Sequence, residues 1–231
     1  LPFLGLLYVA TYLKEYGFDI SIIDAEKEIM DNDETVKYIC KKVPQDSFLG
    51  WASWITTITN ILEMSEKISK KRPDIRQFIG GPHMSATPVD TMLKGKGNFK
   101  YGIVGEGELV VEKVLNNWGN DDFLSRLDGV VVYCDGGLKF KKDTKRGYVR
   151  SAGDTIKAIN TETELIYVDG SSDNYDSKKV VNWPTHSERI EDLDNLMIPD
   201  YSLLGDLERY HLSEFTPPVG EKQMSMLTSR G

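Results

Sequence analysis

Apolar positions in the first half of the chain follow two alternating rhythms, one of helical and one of strand period. Leu6, Val9, Ala10 and Leu13 stand at helical spacing and Gly17 follows as a stop, which predicts a buried helix over Leu4 to Tyr16. Asp19 to Asp24 is a short β-branched run that reads as a strand. The next helix has Asn32 or Asp33 as its cap, Val36, Ile39, Cys40 and Val43 on one face, and Pro44 at its end. Strands are then expected over Ser47 to Ala52, Ile75 to Gly80 and Tyr101 to Val104. The helices between them run over Ile58 to Ser69 and around Pro88 to Leu93, and a last one places Val111, Val114, Leu115 and Trp118 on one face. Short connections between alternating helices and strands predict an α/β fold, a doubly wound parallel sheet covered on both faces. Such sheets normally begin with a strand that becomes central, whereas this chain opens on a helix. The first strand is therefore expected to be missing, and the chain to be a piece of a longer protein.

Beyond Asn120 the texture changes. Gly129 to Tyr133 is one more strand-like run, but Cys134 to Arg189 is rich in Asp, Lys, Gly, Ser and Thr, which predicts hairpins and irregular loop. Glu191 to Leu204 resumes a more apolar pattern, and Met224 to Thr228 has the composition of a strand. These shifts divide the chain into residues 1–133, a polar insertion over 134–189, and 190–231.

Composition narrows the class. A net charge of −8 argues against a broad basic face for nucleic acid or anionic lipid. No apolar run approaches the roughly 18 residues that a membrane span needs. Cys40 and Cys134 are the only cysteines, so neither a disulfide framework nor a zinc pattern exists, and a reducing, cytoplasmic setting is expected.

In an open parallel sheet, ligands sit at the carboxyl ends of the strands, which directs attention to three loops. The first carries Ser53, Thr56, Thr57 and Thr59, hydroxyls that either contact a ligand or cap the next helix; for Thr57 and Thr59 capping is the better reading. The second is Gly80-Gly81-Pro82-His83, where missing side chains serve a close-lying flat ligand or simply a tight turn. The third is Gly105-Glu106-Gly107-Glu108, whose carboxylates suit the N-terminus of the following helix. Trp51 and Trp54 either stack on a ligand or pack inside. His83, His186 and His211 are not spaced as metal ligands, and His186 and His211 read as surface residues. Cys40 reads as core. No GxSxG occurs and neither a Ser/His/Asp nor a Cys/His arrangement assembles from local motifs, so no catalytic residue and no metal ligand is assigned.

Taken in order, LGLLYVATYLKEYGFDISIID, GWAS, IGGPH, YGIVGEGE, IEDLDNLMIPDY and TSRG resemble the cobalamin-binding half of cobalamin-dependent radical S-adenosylmethionine enzymes. The resemblance covers Leu1 to about Val132 and resumes at Ile190 to Gly231. It implies a Rossmann-like (flavodoxin-like) cobalamin domain over 1–133 and, over 190–231, a linker with the first strand of a partial TIM barrel. It further implies that Ser53, Thr56, Gly80, Gly81, Pro82, His83, Gly105, Glu106, Gly107 and Glu108 border the corrin or its nucleotide tail. The [4Fe–4S] cluster and S-adenosylmethionine are expected only in the full-length parent, through a CxxxCxxC loop that would begin just after Gly231. The parent is expected to carry out methyl transfer or cyclisation, and this chain to bind without catalysing. The chain departs from cobalamin mutases in lacking their DxHxxG axial-histidine motif, and from the family in the length and polarity of 134–189. Two other readings stay open: a binding or regulatory α/β module for a nucleotide or another flat cofactor, and a partner-docking role for 134–189.

Overall fold

A computed structural model describes residues 3–143, 156–160, 165–169, 184–191, 196–207 and 210. The chain divides into two compact units, Leu1–Thr35 with Ile190–Gly231, and Val36–Arg189.

In the first unit, helix α1 (Leu4–Glu15) buries Leu7, Ala10, Thr11 and Leu13, the face that the spacing predicts. It ends in a Schellman motif: the Gly17 N–H donates to Lys14 O at 3.0 Å and the Phe18 N–H to Leu13 O at 3.1 Å, with Gly17 at φ +86°. Asp200 is tied to this helix by its carboxylate, which accepts from Lys14 Nζ at 2.6 Å, and by its N–H, which donates to Thr11 Oγ1 at 2.8 Å. A single 3₁₀ turn, Tyr201–Leu204, follows. The strand expected over Asp19 to Asp24 is not formed. Its β-branched side chains favour an extended backbone, but a strand is completed only by a neighbour's hydrogen bonds, and among the described residues none pairs with it.

Helix α2 (Asn32–Lys42) is capped by Asp31, not by Asn32 or Asp33. Asp31 Oδ1 accepts from the Glu34 N–H at 2.8 Å while Glu34 Oε2 accepts from the Asp31 N–H at 3.0 Å, a reciprocal capping box.

The second unit is built on a seven-stranded sheet. Its strands are β1 (Phe48–Ala52), β2 (Arg76–Gly80), β3 (Tyr101–Ile103), β4 (Val130–Cys134), β5 (Gly137–Lys141), β6 (Ile156–Asn160) and β7 (Leu165–Asp169), in the order β1-β2-β3-β4-β5-β7-β6. β1, β2 and β3 are parallel, joined by helix α3 (Ile58–Lys71) and by α4 (Pro82–Ala86) with α5 (Pro88–Lys94). From β4 onward every pairing is antiparallel: the parallel expectation holds for β1 to β3, β4 runs against β3, and the hairpins expected after Cys134 are present. The first of these hairpins has a local cause. β4 and β5 are joined by Asp135 and Gly136, both at positive φ (49° and 79°), a two-residue turn that can only reverse the chain. Because β5, β7 and β6 hydrogen-bond onto the same sheet, the change of composition at Cys134 is not a break in the ladder.

The core of this unit gathers Ile61, Ile79, Met84, Val89, Met92, Phe99, Val104, Val131, Leu138 and Phe140. Helix α6 (Glu108–Asn116) contributes Val110, Val111, Val114 and Leu115. Trp118 lies past its end and packs edge-on against Tyr101, with ring centroids 4.6 Å apart. A short helix, α7 (Asp121–Leu124), that the spacing does not suggest is capped by Asn120, whose Oδ1 accepts from the Phe123 N–H at 3.2 Å. Cys40 is half-buried, not core. No helix among the described residues is long and apolar enough to cross a membrane.

Candidate functional site

The carboxyl ends of β1, β2 and β3 bring the three predicted loops to one edge of the sheet, in the register Ala52 beside Gly80 and Ile79 beside Gly102. Ser53 is the pivot of the first two loops. It is fully buried, and its Oγ donates to Gly80 O at 2.7 Å while accepting from the Met84 N–H at 3.1 Å. Its backbone binds the second loop as well, with the Ser53 N–H donating to Gly80 O at 2.8 Å and the His83 N–H to Ser53 O at 3.0 Å.

Beyond Ser53 the surface turns apolar. Trp54 is 42% exposed and Ile55 80% exposed, large side chains in water at the mouth of the site, with Thr56 exposed beside them. The Thr57 hydroxyl accepts from the Trp54 N–H at 3.1 Å and so fixes this loop; it makes no cap bond to α3, contrary to the capping expectation. Trp51 points elsewhere, its Nε1 donating to buried Gln77 Oε1 at 2.9 Å.

Gly80-Gly81-Pro82-His83 is a turn running directly into helix α4, in which Pro82 takes the first position, where its missing N–H costs nothing. Pro82 is exposed. The half-buried His83 ring sits 3.2 Å from Thr87 Oγ1 through Nε2, along α4 towards the start of α5.

In the third loop, Gly105 sits at φ +95° and its N–H donates to Ser85 Oγ at 2.9 Å, which joins this loop to α4. Glu106 and Gly107 are half-buried. Glu108 is only 3% exposed and opens α6, where the helix dipole favours a carboxylate. His186 and Ser187 also reach this loop. The Ser187 N–H donates to Val104 O at 2.9 Å and its Oγ to Glu106 O at 2.7 Å. His186, expected at the surface, is half-buried, and its Cβ lies 3.5 Å from where a Cβ on Gly105 would stand. No local pattern announces Thr185 to Ser187 as part of this edge, because they lie about eighty residues from the loop they touch. His211 and Met224 to Thr228 fall outside the described residues.

An open cavity of about 370 Å³ lies at the opposite end of the strands and is lined by Asp121, Asp122, Cys134, Asp135 and Lys139, among others. Its carboxylates are spent on structure. Asp121 accepts from Lys100 Nζ at 2.5 Å and from the Tyr101 hydroxyl at 2.8 Å, and Asp122 from Lys139 Nζ at 2.5 Å. Burial pushes the Cys134 thiol up, with the nearby Asp135 carboxylate adding to it, which favours the neutral thiol over the thiolate. Among the described residues no cluster of three or more His, Cys, Asp or Glu side chains forms a metal site.

Comparison with known proteins bears on the N-terminal half of the chain. Residues 1–115 match the B12 binding domain family. The chain is 25% identical over 135 residues to the anaerobic magnesium-protoporphyrin IX monomethyl ester cyclase of Synechocystis, a match covering 58% of this chain and 27% of the cyclase. It thus spans about a quarter of that relative's length. Among solved structures it is similar to the radical S-adenosylmethionine methyltransferase TsrM of Kitasatospora setae, with a TM-score of 0.50 at 16% identity over 59% of this chain and 26% of TsrM, a likeness of fold.

Proposed function

We propose, from the premise that the N-terminal half of this chain is a B12-binding domain similar to cobalamin-dependent radical S-adenosylmethionine enzymes, that the edge above β1, β2 and β3 holds cobalamin for a larger enzyme. The observation that carries the location is the surface after Ser53. A corrin is a broad, flat, largely apolar ring fringed with amides, and Trp54 and Ile55 offer apolar contact area in water beside the Thr56 hydroxyl. Gly81 and Gly105 let the protein's own loops close up beneath that edge, against Ser53 and Ser187 respectively. The residues present therefore fit the group. Thr56, Pro82 and His83, with Gly105 to Glu108, would border the ring or its nucleotide tail, and Ser53 would act from beneath by holding the second loop. When bound, cobalamin supplies a cobalt centre able to carry a methyl group or an electron.

In this reading residues 1–133 are the cobalamin domain, 134–189 a polar insertion that prolongs its sheet, and 190–231 the link to a catalytic barrel. The iron–sulfur cluster, S-adenosylmethionine and the substrate belong to that barrel, and the parent performs methyl transfer or ring formation in the cytoplasm, without nucleic acid. The family match favours cobalamin over a nucleotide as the occupant. Titration of the chain with hydroxocobalamin, followed by gel filtration, tests it. One corrin eluting per chain is expected, and nucleotide binding without corrin uptake would overturn the assignment.

A further inference from the structure

Ser187 lies well beyond residue 115, where the family match ends, yet it determines the shape of the third loop of the site. It is 8% exposed, and its two hydrogen bonds hold the carbonyls on either side of Gly105, those of Val104 and Glu106. Two glycines make room for it. A Cβ on Gly105 would stand 2.7 Å from Ser187 Oγ, and one on Gly129, at φ +78°, 2.5 Å from the Ser187 N–H nitrogen. The segment is anchored upstream too. The Thr185 N–H donates to Lys141 O at 3.0 Å, and Thr185 Oγ1 accepts from the Gly129 N–H at 3.2 Å.

Resting on the cobalamin reading, we propose that Thr185–Ser187 is a strap belonging to the cofactor site, with Ser187 as the positioning residue that presets the Gly105–Glu108 loop for cobalamin. The strap crosses from the end of β5 to the end of β3 and satisfies backbone groups that would otherwise be left buried without partners. A loop held in its binding conformation before the ligand arrives binds more tightly, because its ordering does not have to be supplied by the ligand. The strap also brings His186 against Gly105, which places a second histidine at this edge besides His83.

The test uses the full chain, wild type and Ser187→Ala, with amide hydrogen exchange measured without ligand and hydroxocobalamin affinity measured by titration. Removing one hydroxyl donor is expected to accelerate exchange at residues 104–108, leave exchange in β2 and α3 unchanged, and weaken cobalamin binding by about fivefold to tenfold. Ser187→Thr, which keeps the donor, is expected to restore both. If Ser187→Ala does not fold, Thr185→Val, which removes only the acceptor for the Gly129 N–H, is read by the same two measurements. Wild-type affinity retained in the folded variants overturns the strap's role while leaving the cobalamin reading intact. Absence of corrin uptake by the wild type overturns both, whatever the exchange pattern.

Discussion

Gly81 and Ser53 are in backbone contact: a Cβ built on Gly81 would lie 2.7 Å from Ser53 N and 2.8 Å from Ser53 O. The second glycine of the Gly-Gly pair therefore serves the meeting of two loops of the protein, where the spacing alone leaves open a flat ligand or a tight turn. Its dihedrals, φ +97° and ψ 178°, belong to a region that essentially only glycine enters. The contact sets the height at which Ala52, Ser53 and Gly80 end, and hence the floor of the proposed cobalamin edge.

Gly81→Ala is expected to destabilise the fold by at least about 1 to 3 kcal/mol from backbone strain alone. It also pushes Ser53 away from Gly80, so cobalamin affinity falls with it. Urea unfolding of the variant measures the first effect. A midpoint equal to that of the wild type would show that the two loops separate without cost.

Arg72 ties the end of α3 to the end of α2. Its guanidinium grips Asp74 at 2.8 and 2.6 Å and donates to the carbonyls of Cys40 and Val43 at 2.8 and 3.2 Å. The hydrogen bonds from Arg72 hold the Asp74 carboxyl down at about 2, against an ordinary 3.8. The folded value is the lower one, so the pair contributes stability above pH 3.8 that is lost as pH falls towards 2. Asp74→Asn is expected to flatten the acid limb of the stability curve between those values, as read by circular dichroism against pH. Asp200, held at about 2 by Lys14 and Ser202, gives the first unit the same acid dependence. An unaltered acid limb in Asp74→Asn would contradict the assignment.

The helices and the parallel strands of the α/β part were legible because burial of one face imposes a period that Leu7, Ala10, Ile61 and Ile79 obey. Strand direction is not carried by that period. Between β4 and β5 it follows from Asp135-Gly136, a hairpin signal present in the chain. The Asp31 cap was equally readable, from Asp-x-x-Glu at 31–34, and so was the start of α4 from Pro82 after Gly81. Asp19 to Asp24 shows the converse: strand propensity with no pairing neighbour among the described residues yields no strand. Ser187 was not legible at all, since its contacts to Val104 and Glu106 span long stretches of chain and leave no local pattern.

The two histidines at the edge differ in setting. The His83 ring lies beside Thr87 Oγ1 at 3.2 Å, and His186 rides on the strap next to Gly105. Neither histidine is expected to ligate the cobalt of bound cobalamin. Paramagnetic resonance of the Co(II) form should then show a nitrogen superhyperfine pattern unchanged by His83→Ala or His186→Ala. Splitting that disappears in one of these variants would identify that histidine as a ligand.

The location of cobalamin above β1, β2 and β3 is tested most directly by corrin affinity in two single variants at opposite ends of the strands. Ile55→Glu places a charge on the most exposed apolar side chain of the proposed edge, whereas Asp122→Ala alters the distant polar cavity. Covering an unpaired carboxylate with an apolar ring costs several kcal/mol, so Ile55→Glu should weaken binding by about tenfold or more, with Asp122→Ala within about twofold of wild type. The reverse pattern, full affinity in Ile55→Glu and its loss in Asp122→Ala, would contradict the account.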